Sequence, residues 1–297
     1  MQVTTRGWIN GAIGVAIFSG SLPATRLAVL GLDPLFVTAA RAALAGLLAA
    51  GALLLTRNQR PTRSEWLTLA WVALGVVVGF PLLTALALRT ITSAHSLVFI
   101  GLLPLATAIF GTWLGGERPS RAFWTFAVLG AASVAGFALS RDGSGSLGAD
   151  ALMMGAIVSC GYGYAEGGRL SRRLGGWQVI CWVLVLSLPL SLPLSFALRP
   201  ADWSGVPVSA WAGLAYVAVF SMLVGFIFWY RGLALGGIAA VGQLQLLQPF
   251  LGLLLSAWLL GESVTGVMVA VTAFVVACVA GAKYTAAAPV AGSAPAR

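Results

Sequence analysis

The chain has 297 residues, of which 59% are hydrophobic and only 8% charged, with a net charge of +9. Soluble domains carry roughly 25% charged residues, and a mean hydropathy of +0.96 points the same way. Too few ionic side chains are present to cover a water-soluble surface of this size, so the soluble-enzyme, nucleic-acid-binding and disulfide-scaffold classes are excluded and a polytopic membrane protein remains.

A spanning helix needs about 20 mostly apolar residues. In chain order such runs fall at 8–30, 34–55, 66–88, 94–114, 121–140, 148–168, 177–198, 209–230, 237–260 and 265–284. Charges and turn formers separate them: Asp33-Pro34, Arg57 to Arg63, Gly115 to Pro119, Arg141 to Gly145, Arg169 to Gly176 and Arg199 to Asp202. The breaks at 89–93 and 231–236 are weaker. Ten spans are expected, all helical, because the runs are continuous rather than alternating as barrel strands are. The first run is too long for a signal peptide and has no small-residue cleavage site, so it reads as the first helix. The stretch 285–297 is Ala/Pro/Gly/Ser-rich and reads as a disordered tail.

Basic residues near span ends favour the cytoplasmic side. With the N-terminus inside, Arg6, Arg57, Arg60, Arg63, Arg118, Arg121, Arg169, Arg172, Arg173, Arg231, Lys283 and Arg297 lie on the cytoplasmic side. Arg26, Arg89, Arg141 and Arg199 lie opposite, and Arg41 falls within a span. Twelve against four sets both termini in the cytoplasm. Cys160, Cys181 and Cys278 lie in apolar runs with neither disulfide nor metal spacing.

A shift of 145 residues carries Pro104 onto Pro249, Trp113-Leu114 onto Trp258-Leu259, and Gly116-Glu117 onto Gly261-Glu262. It also carries Ala132 onto Ala277 and Val134-Ala135-Gly136 onto Val279-Ala280-Gly281. The expected units are therefore 7–140 and 147–284. Five spans per unit is an odd number, so the second unit must be inverted relative to the first. Inverted repeats underlie many secondary transporters, with the substrate site near the midplane.

The doubled pattern of mid-span proline, W-L-x-G-E turn and final apolar helix resembles the EamA-type branch of the drug/metabolite transporter (DMT) superfamily. The segment Phe18 to Arg41 is also similar to that branch. The resemblance covers about residues 7–284 and implies a ten-helix carrier in the cytoplasmic (inner) membrane of a bacterium, with both termini inside. It further implies alternating access around a central cavity walled in part by the fourth and ninth helices. It does not imply one substrate: the branch includes exporters of amino acids, other metabolites and drugs.

Polar groups inside a membrane are costly, and each asks for a reason. Gln243, Gln245 and Gln248 precede Pro249 in the ninth run, with Gln245 and Gln248 on one face. Pro249 removes a donor and frees a carbonyl one turn earlier. Such a cluster suits a zwitterionic or polar organic substrate, or else interhelical hydrogen bonding. In the matching stretch before Pro104, His95, Phe99 and Leu102 share a face. His95, the lone histidine, lies close to the outer interface, where a hydrated structural role competes with coupling or gating. Arg41 lies seven residues beyond Pro34, roughly 10 Å deep at 1.5 Å per residue. It can snorkel, bind carbonyl ends, or meet a substrate carboxylate, and the resemblance tilts towards the structural roles. Glu166 reads as the one acid inside a span; Arg169, three residues on, offers a helical ion pair, with proton coupling as the alternative. Glu117 and Glu262 read as helix caps or braces. Phe18, Phe99, Tyr162, Tyr164, Phe228, Trp229 and Tyr230 are the aromatics nearest the expected cavity, although most Trp in such proteins mark interfaces. Gly161, Gly163, Gly167 and Gly168 permit close helix approach.

No phosphate loop is present, since the sole lysine is Lys283 and Ala282 precedes it. Clustered metal ligands are also lacking. A serine protease using Ser19 or Ser21 with His95 leaves the repeat unexplained. The reading is a secondary carrier, an exporter by resemblance, for small polar or amphipathic metabolites such as amino acids. A passive channel or facilitator, or a multidrug or cation exporter, is the alternative. Its partners are the solute and the lipid bilayer, with proton coupling open, no cofactor, no nucleic acid, and a monomer or homodimer.

Overall fold

The computed structural model describes residues 2–56, 59–115, 120–139, 146–236 and 241–286. Helices run in chain order as α1 Gln2–Ser19, α2 Ser21–Gly31, α3 Pro34–Leu55, α4 Arg63–Ala73, α5 Phe80–Ala87, α6 Ser93–Ile100 and α7 Leu103–Gly115. There follow α8 Arg121–Leu139, α9 Leu147–Leu174, α10 Gly176–Ala197, α11 Val208–Ala215, α12 Gly225–Gly236, α13 Gln248–Leu260 and α14 Gly266–Ala286. Among the described residues there is no strand. α14 reaches two residues into the stretch expected as a tail, and 287–297 lie outside the described residues.

The element ends follow local chemistry. Pro34 opens α3, and Asp33 accepts from the Leu35 N–H at 2.8 Å. Thr62 and Glu65 form a capping box before α4. Ser146 caps α9 through the Ala149 N–H at 3.2 Å, and Arg172 and Arg173 stand in its last turn, where cations suit the helix dipole. Gly261 of the second W-L-x-G-E motif has φ 62° and ends α13 in the left-handed conformation that glycine tolerates best. On the loop after α10 the Ser204 hydroxyl and N–H donate to Asp202, holding its carboxyl below the usual carboxylate range.

Among the described residues seven segments are long and apolar enough to cross a membrane: Thr5–Gly31, Pro34–Leu55, Arg63–Ala87, Ser93–Leu114, Arg121–Leu139, Gly176–Ala197 and Val208–Leu235. Helices also occupy the other three expected runs. α9 is 28 residues long but carries Asp150, Glu166, Arg169, Arg172 and Arg173. The ninth and tenth runs give shorter apolar helices, Leu244–Leu260 and Gly266–Ala282.

Several spans are interrupted, and the interruptions correspond between the halves. A π-helical stretch, Leu74–Gly79, joins α4 to α5, and another, Tyr216–Val224, joins α11 to α12. The fourth segment breaks at Gly101-Leu102 between α6 and α7, and the ninth passes through a 3-10 stretch, Gly242–Leu247, before α13. Each break lies just ahead of a proline, which lacks the N–H that the carbonyl four residues earlier would use. Around Pro104 the Leu102 N–H turns instead to the Phe99 carbonyl at 2.9 Å. Ahead of Pro249 the Gln248 N–H takes the Gln245 carbonyl. The acceptor that the sequence reading expected Pro249 to free is thus satisfied within the backbone. The first segment is interrupted at Gly20, where the Tyr216 hydroxyl donates to the Ile17 carbonyl at 2.8 Å. A Cβ on Gly20 would stand 2.5 Å from that hydroxyl oxygen.

Packing pairs the halves. α1 and α2 lie along α12 and α11, just as α9 lies along α5, the first π stretch and α4. α3 packs on α10, α8 on α14, and α6 on α13. The α9 glycines permit the close approach expected of them: a Cβ on Gly161 would stand 2.7 Å from the Ala106 Cβ.

Candidate substrate cavity

Among the described residues three side-chain clusters lie in the interior and a fourth reaches the surface at one end. The first is aromatic and joins α1, α9 and α12. Phe18 lies 5.1 Å from Phe226, 6.3 Å from Trp229 and 6.4 Å from Tyr164 between ring centroids. Tyr164 is 5.7 Å from Phe226, and Phe226 is 5.4 Å from Tyr230. All five rings are buried, and the Trp229 Nε1–H has no hydrogen-bond partner. Phe226, Trp229 and Tyr230 share the i, i+3, i+4 face of α12, whereas Phe228 points elsewhere and is half-buried. The sequence reading named Phe228 and missed Phe226, an error that the helical period could have prevented.

The second cluster is polar. Arg41 on α3 is buried, and its Nη2 donates to the Ser221 hydroxyl at 3.5 Å. Ser221 lies 2.7 Å from the Ser21 hydroxyl. Arg41 does not snorkel, and its Nε is buried without a partner.

The third cluster ties the halves together at the end of the molecule that holds α2's C-terminus. His95 Nε2 meets Asp150 Oδ1 at 2.8 Å, with both side chains nearly inaccessible. Phe137 and Phe99 flank the imidazole at 4.7 and 5.8 Å. His95 is therefore a buried, paired group, not the hydrated one expected from its position. Asp150 also corrects the reading of Glu166 as the one acid inside a span. Its place near the start of an apolar run, level with the lone histidine of another run, was the signal available. Beside this pair Glu262 accepts from the Ser93 N–H at 3.0 Å, the Ala94 N–H at 2.8 Å and the Ser93 hydroxyl at 2.7 Å. It thereby caps α6, with Arg26 Nε 4.0 Å away. The expected bracing role holds for Glu262, while Glu117 lies outside the described residues.

The fourth cluster is at the opposite end. Glu166 pairs with Arg169 at 3.0 Å, as the three-residue spacing indicated. Tyr162 packs edge-on against Phe110 at 5.5 Å. A cavity of about 400 Å³ opens nearby, lined by Ser64, Glu65, Thr68, Arg169, Leu170 and Arg173, with Arg173 paired to Glu65.

The remaining expected site residues are dispersed. Gln245 and Gln248 are buried, and Gln245 Nε2 and Gln248 Oε1 lack partners. The Gln243 side chain lies outside the described residues. Pro249 is buried at the head of α13, Pro104 is buried in α7, and Phe99 packs on His95 rather than on Trp229. Among the described residues no cluster of metal-ligating side chains is present.

Paired halves of interrupted apolar helices enclosing unpartnered polar groups define a multi-pass membrane transporter. The chain belongs to the EamA-like transporter family, whose model matches it twice, over residues 5–139 and 147–282. It is 63% identical over 283 residues to "Uncharacterized transporter YdeK" of Bacillus subtilis (strain 168), a match covering 95% of this chain and 99% of that relative. A solved crystal structure shares the fold with a TM-score of 0.65 at 20% identity, covering 93% of this chain and 97% of that one.

Proposed function

We propose that this transporter is a secondary-active carrier, working as an exporter of small polar or amphipathic metabolites such as amino acids. Ten spans, arranged as inverted units 7–140 and 147–284 with both termini in the cytoplasm, alternate access around a central cavity. The observation that carries this reading is the correspondence of the interrupted segments. The fourth and ninth segments break one step before matched prolines, and the third and eighth each contain a π stretch. A pore needs no such symmetry, whereas alternating access uses two equivalent sets of bending points.

The amides of Gln245 and Gln248, with Pro249, Trp229 and the rings around it, supply the polar and apolar walls. Gln243, Phe99, Pro104 and Tyr162 stand on the segments that would move. Arg41, Glu166 and His95 are the coupling or gating candidates, to which the buried pair adds Asp150. Counterflow in liposomes, with a labelled panel of amino acids, polyamines, nucleosides and cationic dyes, tests the carrier. Uptake accelerated by an internal pool of the same solute is expected. Equilibration without trans-acceleration favours the passive-channel alternative.

A further inference from the structure

The charge on Arg41 has no acidic partner in the described fold. Among the described residues every carboxylate is engaged elsewhere. Asp33 caps α3, Glu65 pairs with Arg173, Asp150 with His95, and Glu166 with Arg169, while Asp202 binds Ser204 and Glu262 caps α6. A guanidinium offers five N–H donors. Here one contact reaches the Ser221 hydroxyl at 3.5 Å, and the Nε–H is buried with no partner. Leaving a cation in a low-dielectric interior without an anion is costly, and fold stability alone does not favour keeping it there. An anion supplied from outside the chain removes that cost.

The surroundings narrow the anion's chemistry. Ser21 and Ser221, 2.7 Å apart, use one hydroxyl proton between them and keep one to donate. A carboxylate matches a guanidinium fork beside a hydroxyl donor. Ser21 lies three residues beyond Phe18, about 4.5 Å of helical rise, and Ser221 precedes Phe226 on the facing element. The two elements touch there, since a Cβ on Gly225 would stand 2.8 Å from the Phe18 ring. The polar group is therefore adjacent to the aromatic cluster of Phe18, Tyr164, Phe226 and Trp229. Together they present a cationic end and an apolar end, and no described carboxylate is left to receive a cationic solute.

We propose that Arg41, with Ser221 and Ser21, binds the carboxylate of the transported solute, and that the neighbouring rings receive its apolar body. The substrate class is then a small organic monocarboxylate with an aliphatic or aromatic body. This assignment rests on the carrier reading above.

The test compares phenylacetate and phenylalanine with phenylacetamide and phenethylamine. Each is measured by counterflow in liposomes and by equilibrium dialysis on purified protein. A carboxylate is expected to bind at least about tenfold more tightly than the matching amide or amine. R41Q is expected to abolish that preference, with R41K intermediate. Should R41Q fail to fold, the double variant S21A/S221A is expected to weaken carboxylate binding by more than it weakens amide binding. Amide or amine binding equal to that of the acid overturns the proposal, as does absence of carboxylate binding or an unaltered preference in the variants. If amines exchange with trans-acceleration, the carrier stands and the carboxylate site fails. If phenylacetate binds through Arg41 but crosses without trans-acceleration, the site stands and the carrier fails.

Discussion

Glu262 shows how one side chain can join two repeats. It comes from the turn after α13, yet satisfies three donors at the start of α6, a helix of the other half. Hydrogen bonds to charged groups contribute about 1.5–3 kcal/mol each, and a buried donor left unmet costs about as much. Glu262→Ala should therefore destabilise the protein by roughly 2–4 kcal/mol, read as a lower Tm in detergent, with Glu262→Gln losing less. An unchanged Tm for the alanine variant contradicts the capping role. The His95–Asp150 pair makes a second residue-scale case. Removing one partner of a buried hydrogen-bonded pair leaves the other unmet and costs about 1–3 kcal/mol, so Asp150→Ala should melt early, whereas Asp150→Asn keeps a hydrogen-bonding partner for the imidazole.

The same pair is one of the coupling candidates of the proposed mechanism. Close by, Glu262 on the turn after α13 contacts Ser93 and Ala94, the two residues before His95, and Arg26 on α2 lies 4.0 Å from Glu262. Asp150→Asn is expected to retain counterflow while losing uptake driven by a pH gradient. Glu166→Gln should retain both, because Glu166 is held by a largely exposed Arg169. Gradient-driven uptake that survives in Asp150→Asn and disappears in Glu166→Gln reverses the assignment. Glu166 and Arg169 were legible together because three residues of helix place them side by side. His95 and Asp150 are 55 residues apart, and no local spacing encodes a pair made by tertiary packing.

At the scale of elements, the prolines set where the segments break. Pro249 denies a donor to the Gln245 carbonyl, and the 3-10 stretch is the backbone's remedy. Pro249→Ala restores the donor and permits a continuous α-helix through Gln245 and Gln248. The expected result is a folded protein of equal or higher Tm whose exchange rate falls several-fold. Unimpaired exchange would show that the broken helix is dispensable. The prolines and their repeat spacing could be read directly from the chain. The π stretches could not, because Leu74–Gly79 holds only apolar residues and glycine, and Tyr216–Val224 adds only Tyr216 and Ser221 to an apolar run, with no proline in either. Arg41 was visible as a buried charge, but its contact with Ser221 depends on how α3 meets the eighth segment.

At the scale of the molecule, composition and the 145-residue repeat are enough to indicate a helical membrane protein of two matched halves. Sequence did not establish which halves' segments pair, since the contacts of α1 with α12 and of α9 with α5 arise from packing between apolar surfaces. Orientation is open to direct measurement. The native cysteines are buried, so Ser204→Cys and Arg60→Cys can report alone to an impermeant maleimide. In intact cells Ser204→Cys should label and Arg60→Cys should label only after lysis; the reverse pattern would invert the proposed topology.

Alternating access itself makes a sharper demand, that the two ends of the molecule open in opposition. Spin labels at exposed positions Thr90 and Ser204 report one end, and labels at Arg60 and Arg172 report the other. Pulsed dipolar distances in nanodiscs, with and without the solute that exchanges, should lengthen at one end as they shorten at the other. Distances that stay fixed at both ends, or that widen together, would contradict a carrier built from two inverted halves.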